Sequence, residues 1–132
     1  MYYKLYKINN STSKEARVVL KQNANLFQLS VGDDIIYVKE GHSQTKIKLH
    51  NILYLEGLKD YTKIVTTDKE HFVLASIGNL LKKADFYNFI RIHRSFAVQK
   101  IYVEKKQANE LLLNNGISLP IGRSYKDALN LI

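Results

Sequence analysis

Apolar residues in this 132-residue chain fall in short runs separated by polar turns, and in several of these runs they recur at every second position. That period places successive side chains on opposite faces of an extended strand. Lys46, Ile47, Lys48 and Leu49 show it clearly, and so do Ile90, Arg91, Ile92 and His93. Ten segments read as strands: RVVL (17–20), LFQLSV (26–31), IIYVK (35–39), TKIKL (45–49), ILYLE (52–56), YTKIV (61–65), HFVLA (71–75), FIRIH (89–93), ELLLN (110–114) and ISLP (117–120). They are rich in β-branched and aromatic residues, which suit a pleated, half-buried surface. Asn115-Gly116 joins the last two and predicts a two-residue type I′ hairpin, whose positive φ angles this dipeptide tolerates.

Helical periodicity is confined to two stretches. In SIGNLLKKA (76–84), Ser76 is placed to cap the N-terminus, and Ile77, Leu80 and Leu81 share a face. In RSYKDALNLI (123–132), Tyr125, Ala128, Leu129 and Ile132 do the same. The pattern therefore predicts a mainly β fold with two short helices. There is no long recognition helix, so a nucleic-acid reader built on this chain has to use strands and loops.

The length is that of one ordinary domain. The first 32 residues differ in character: 9–16 is a polar loop, and five Lys and Arg stand against one Glu, which is half of the chain's net charge of +8. We expect 1–32 to be an extension or connector and 33–132 to be the folded domain. No apolar run approaches the roughly 20 residues that cross a bilayer, and no signal-peptide pattern opens the chain. The expectation is a cytoplasmic protein without a membrane partner. The basic excess favours polyanionic partners, although its placement carries more information than its sum.

Several chemistries lack their residues. The chain has no cysteine, hence no thiolate nucleophile, disulfide or cysteine-based zinc site. Its four histidines fall in no metal-ligating spacing, and neither a G-x-S-x-G elbow nor a glycine-rich phosphate loop occurs. We expect no catalytic residue, no metal and no cofactor.

Three polar clusters near strand ends remain. GLKDYTK (57–63) lies between two strands and offers Lys59, Asp60, Thr62 and Lys63 to solvent, as a charged hairpin loop or as a loop for a DNA groove. In RIHRS (91–95), Ile90 and Ile92 read as inward and Arg91 and His93 as outward residues that hold the strand end. Arg94 breaks the alternation and falls on a loop or a helix start. In PIGRSYK (120–126), Gly122 permits a tight turn, and Arg123 opens a helix where its charge opposes the helix dipole. A cation in that unfavourable place hints at another use.

These clusters, in this order on a β-rich chain, resemble the LytTR family of DNA-binding output domains found in bacterial response regulators and related transcription factors. The resemblance is carried by ILYLEGLKDYTKIVT (52–66), SIGNLLKKADFYNFIRIHRSFAV (76–98) and LLLNNGISLPIGRSYKDAL (111–129). It implies an elongated β-sandwich of small antiparallel sheets with short helices, which reads double-stranded DNA through loops in successive major grooves. The implied base-facing positions are Thr62, Arg94 and Arg123, with Lys59, Lys63, Ser124 and Lys126 at phosphates. It further implies binding to promoter repeats as a homodimer or pair, and an upstream receiver domain or sensor-kinase system. Two positions depart from the family pattern: Gln99 stands for an asparagine, and Gly122 for a serine. The competing function is a β-rich RNA-binding or protein-interaction adaptor that uses the same basic face.

Overall fold

A computed structural model describes residues 34–132. The strands expected at 17–20 and 26–31, the polar loop at 9–16 and the connector reading of 1–32 lie outside the described residues. Ten strands are present among those described: β1 (Ile35–Glu40), β2 (Ser43–Lys48), β3 (Ile52–Leu58), β4 (Tyr61–Thr66), β5 (Glu70–Val73), β6 (Phe89–His93), β7 (Phe96–Gln99), β8 (Val103–Lys106), β9 (Glu110–Leu113) and β10 (Ser118–Pro120). All pair antiparallel, in three sheets: β1-β2, the five-stranded β5-β4-β3-β7-β6, and β10-β9-β8.

The five-stranded sheet is covered on both faces, as a sandwich requires. On one face Leu55, Ile64, Val73 and Ala97 pack with Ile36, Val38 and Ile47 of the β1-β2 hairpin and with Ile77 and Leu80. On the other, Tyr54, Val65, Ile92 and Val98 pack with Leu111, Leu113 and Leu119 of the three-stranded sheet and with Leu129 and Ile132. Each full burial contributes about 1.5–3 kcal/mol, the main source of stability in a chain without disulfides. A bulge between Ile52 and Tyr54 turns Leu53 and Tyr54 toward the same core, whereas Ile52 and Leu55 enter the opposite one.

The first helix, α1 (Ile77–Leu81), begins as expected, with the Ser76 hydroxyl accepting the Asn79 N–H at 3.1 Å. The second is a 3₁₀ helix, Arg123–Leu131, rather than an α-helix. Its half-buried residues are nevertheless Tyr125, Ala128, Leu129 and Ile132, and it packs along β6.

Two strands escaped the sequence reading. Ala97, Val98 and Gln99 of β7 are all buried, so this interior strand shows no alternation, and β8 is a largely exposed strand of mixed charge. The Asn115-Gly116 expectation needs correcting too. Gly116 has φ +89° but Asn115 does not share the positive region, since Lys59 is the one non-glycine residue there among those described. Gly116 N–H donates to Leu113 C=O at 2.9 Å, and Leu113 N–H donates to Ile117 C=O at 2.8 Å. The loop is thus three residues long, Asn114 to Gly116, with glycine in the left-handed position of a bulge. The Asn115 side chain accepts the Ile117 N–H at 3.1 Å instead of lending its backbone to a type I′ turn.

Candidate nucleic-acid interface

Strand pairing brings the three polar clusters together. β3 ends where β7 begins: Glu56 lies opposite Phe96, and Gly57 N–H donates to Ser95 C=O at 2.8 Å. The β3-β4 turn at Lys59-Asp60 and the β6-β7 turn at Arg94-Ser95 therefore leave the sheet at the same end. Arg94 sits in a two-residue hairpin loop between His93 and Phe96, not at a helix start. Gly122 N–H donates to Ile92 C=O at 2.8 Å, which seats Arg123 beside that loop. His93, Arg94, Gly122, Arg123, Ser124 and Tyr125 line an open hollow of ≈ 650 Å³.

Lys59, Arg94, Arg123 and Ser124 are exposed. Lys59 has φ 58°, a left-handed conformation that costs a non-glycine residue about 1–3 kcal/mol. The turn that presents its ammonium group is thus held in shape by the two strands it joins. His93 supports the next turn: its Nδ1 accepts the Ser95 N–H at 3.0 Å, and its ring packs tilted against Phe96 at 5.6 Å. This matches the strand-end role expected for it. Arg91 completes that role through bonds to the His93 and Arg94 carbonyls.

Two expected site residues, Thr62 and Lys63, are less open to solvent than expected, and a third, Lys126, is exposed but bonded to the protein itself. Thr62 is 0% exposed, and its hydroxyl donates to the Ala75 C=O at 2.7 Å. The residue follows the buried parity of Ile64, so its solvent availability is corrected. Lys63 lies across from Glu56 on β3 and is paired with Glu56 at 3.1 Å and Glu70 at 3.8 Å. The Glu56 hydrogen bond raises its pKa above the ordinary lysine value despite partial burial, so its charge is fixed but compensated. Lys126 donates to the Ala108 carbonyl and to Asn109 Oδ1, tying the 3₁₀ helix to the β8-β9 loop.

The two departures from the family pattern also have local causes. Gln99 is buried, and its Nε2 donates to the carbonyls of Leu49 at 3.0 Å and Ile52 at 2.6 Å. At Gly122 a Cβ would stand 2.9 Å from Tyr125 Cδ2 and 3.4 Å from His93 Cα. Glycine there is what allows the Tyr125 ring to lie against the loop. Tyr125 in the hollow was signalled only by its helical period, and nothing in the sequence pairs it with His93.

With this geometry in view, the comparisons with known proteins are direct. Residues 42–132 match the LytTr DNA-binding domain family, and the chain belongs to that family, which is defined by DNA binding rather than by catalysis. The sensory transduction protein LytT of Bacillus subtilis (strain 168) is 29% identical over 121 residues, covering 85% of this chain and 46% of the relative. The chain thus spans about half the length of that relative. Among solved structures, the LytTr DNA-binding domain of a Bacillus cereus protein described as a methyl-accepting/DNA response regulator superposes with a TM-score of 0.60 at 21% identity. That match covers 76% of this chain and 96% of the other, and it shows the fold. No helix among the described residues is long and apolar enough to cross a membrane.

Proposed function

We propose that this domain recognises specific sequences in double-stranded DNA to control transcription, with Arg94 and Arg123 reading base edges in the major groove. The observation that carries the reading is the meeting of these two exposed arginines, 29 positions apart in sequence, around one hollow at one end of the sheet. A guanidinium can pair with guanine O6 and N7 through two hydrogen bonds, worth about 1–3 kcal/mol of discrimination per position. Lys59 and Ser124 flank them as phosphate contacts that set register. Lys63 and Lys126, engaged with groups of the protein itself, contribute field and support at the rim. Thr62 acts from inside the sheet, by fixing β4 to the segment that leads into α1.

Two arginines give modest specificity per domain. That fits paired domains on promoter repeats, each turn entering its own groove, under a receiver domain or sensor-kinase input elsewhere in a longer protein. Residues 1–32 suit the connector.

The test is a gel-shift titration of labelled promoter fragments with unlabelled competitor duplex and RNA, at several salt concentrations. We expect a preferred duplex to survive competition, and Arg94→Ala and Arg123→Ala each to lose about 1–3 kcal/mol on it while relaxing its preference. Equal binding to every duplex and to RNA would overturn the reading in favour of an RNA-binding or adaptor function.

A further inference from the structure

Arg91 stands outside the set of exposed groups at this end of the sheet, yet it touches each element that carries one of the two reading arginines. Its Nε donates to the His93 carbonyl at 3.3 Å. Its Nη2 donates to the carbonyl of Arg94 itself. The guanidinium carbon lies 6.0 Å from the centroid of the Tyr125 ring, in reach of a cation–π contact. Its Nη1 sits beside the start of α1, 3.6 Å from where a Cβ on Gly78 would be. One planar group therefore binds the backbone of the Arg94 turn along one edge and faces the aromatic ring two residues past Arg123.

We propose that Arg91 is a positioning residue that makes Arg94 and Arg123 a fixed pair, holding the β6-β7 turn and the start of the 3₁₀ helix at one mutual setting. The proposal rests on the reading of those two arginines as base contacts. The physical case is that a two-residue turn has few bonds of its own. The Arg94 turn has the Ser95 N–H bond to His93 and the Ser95 C=O bond to Gly57. The carbonyl of Arg94 is held by Arg91. A fork of donors on one rigid plane is what lets a single side chain satisfy two consecutive carbonyl directions while its charge stays over a ring. Lysine cannot do this: it carries the same charge on a single nitrogen without a flat face. Loosening the turn leaves Arg94 its charge but not its aim, so a preferred duplex suffers more than a random one.

The experiment combines Arg91→Ala, Arg91→Lys and Arg94→Ala, alone and as the Arg91→Ala/Arg94→Ala double variant, with affinities measured on the preferred and on a scrambled duplex. Backbone amide exchange is measured without DNA. For Arg91→Ala we expect roughly tenfold weaker binding to the preferred duplex with a smaller loss on the scrambled one, no rescue by lysine, and a loss in the double variant smaller than the sum of the two single losses, what remains of the Arg91 effect acting through Arg123. Amide exchange should quicken at Ser95 and at Arg123–Tyr125 in both Arg91 variants. Rescue by lysine would assign Arg91 to phosphate contact and overturn the proposal, and so would additive effects in the double variant. Unchanged amide exchange would overturn it as well. If Arg94→Ala alone leaves the duplex preference intact, the base-contact reading fails instead, and the amide data still decide whether Arg91 holds the two segments together.

Discussion

Gly122 donates its N–H to the carbonyl of Ile92 at 2.8 Å, so the residue before Arg123 is bonded to the strand that ends one residue before Arg94. This single bond joins the last polar cluster of the chain to the middle one. A methyl group at Gly122 would press on the Tyr125 ring, with Cβ 2.9 Å from Cδ2, and on the His93 backbone. Gly122→Ala should cost about 1–3 kcal/mol of stability through overpacking and weaken DNA binding by displacing the start of the 3₁₀ helix. Denaturant unfolding and duplex titration on the same sample check both. Gly122→Ser, which restores the residue usual in the family, should suffer the same collision while Tyr125 is present, and Tyr125→Ala should relieve it.

Thr62→Val separates a buried support from a contact. The substitution keeps the shape but leaves the Ala75 carbonyl without its hydroxyl partner, at a cost of about 1–3 kcal/mol. Thermal unfolding should show it, at about 4–8 °C for each kcal/mol in a domain of this size. At temperatures where the variant is folded, its choice between duplexes should match that of the unaltered protein. A changed preference with unchanged stability would instead return Thr62 to the groove.

Lys59→Gly removes a charge and at the same time suits the φ of 58° better than lysine does. It should therefore bind every duplex more weakly, with the slope of log affinity against log salt reduced by about one, yet lose no stability. Lys63→Ala should also weaken all duplexes, for a different reason: it leaves Glu56 and Glu70 uncompensated on the same face. Adding Glu56→Gln should recover part of that loss.

Glu40 provides a pH test far from the arginines. One of its oxygens bonds His71 Nδ1 at 3.1 Å, and the other accepts the Phe72 N–H at 3.1 Å, which ties the β1-β2 hairpin to the edge strand β5. Burial acts to raise its pKa, but the hydrogen bonds of His71, Thr45 and the Phe72 backbone outweigh it and hold the carboxyl below its usual 4.5. A carboxyl depressed by folding stabilises fully above its unfolded value, and that contribution is lost as the pH falls through the folded one. Unfolding midpoints of the unaltered protein should accordingly drop below pH 4.5. Glu40→Gln should be less stable at pH 7 and show a flatter decline in that acid range.

Most strands were legible because one face of each meets a core and the other does not, as in β2, where Ile47 is buried between two exposed lysines. The reading failed where that contrast vanishes. In β7 the burial of Ala97, Val98 and Gln99 leaves no period to detect. The exposed arginines were legible from local breaks in pattern at Arg94 and Arg123. Whether a polar residue inside a strand faces in or out was legible only in part: Thr62 shares the face of Ile64, but Lys63 shares that of the equally apolar Val65, and the partner strands decide that it meets Glu56 and Glu70. Gln99 shows the same limit: its two carbonyl partners lie 50 and 47 positions away.

The bulge in β3 has a consequence for how the length of the chain can vary. Since Leu53 is the additional residue of the bulged pair, removing it would leave Ile52 and Tyr54 in ordinary alternation, each still facing its own core. The loss of Tyr54 would do the same for Ile52, Leu53 and Leu55, whereas a residue lost from the middle of β3 beyond this pair would turn part of the strand over and expose one core's side chains to the other. Leu53 and Tyr54 are thus the two positions in this central strand where a deletion keeps the reading frame of the sheet, at the cost of a void the size of the missing side chain.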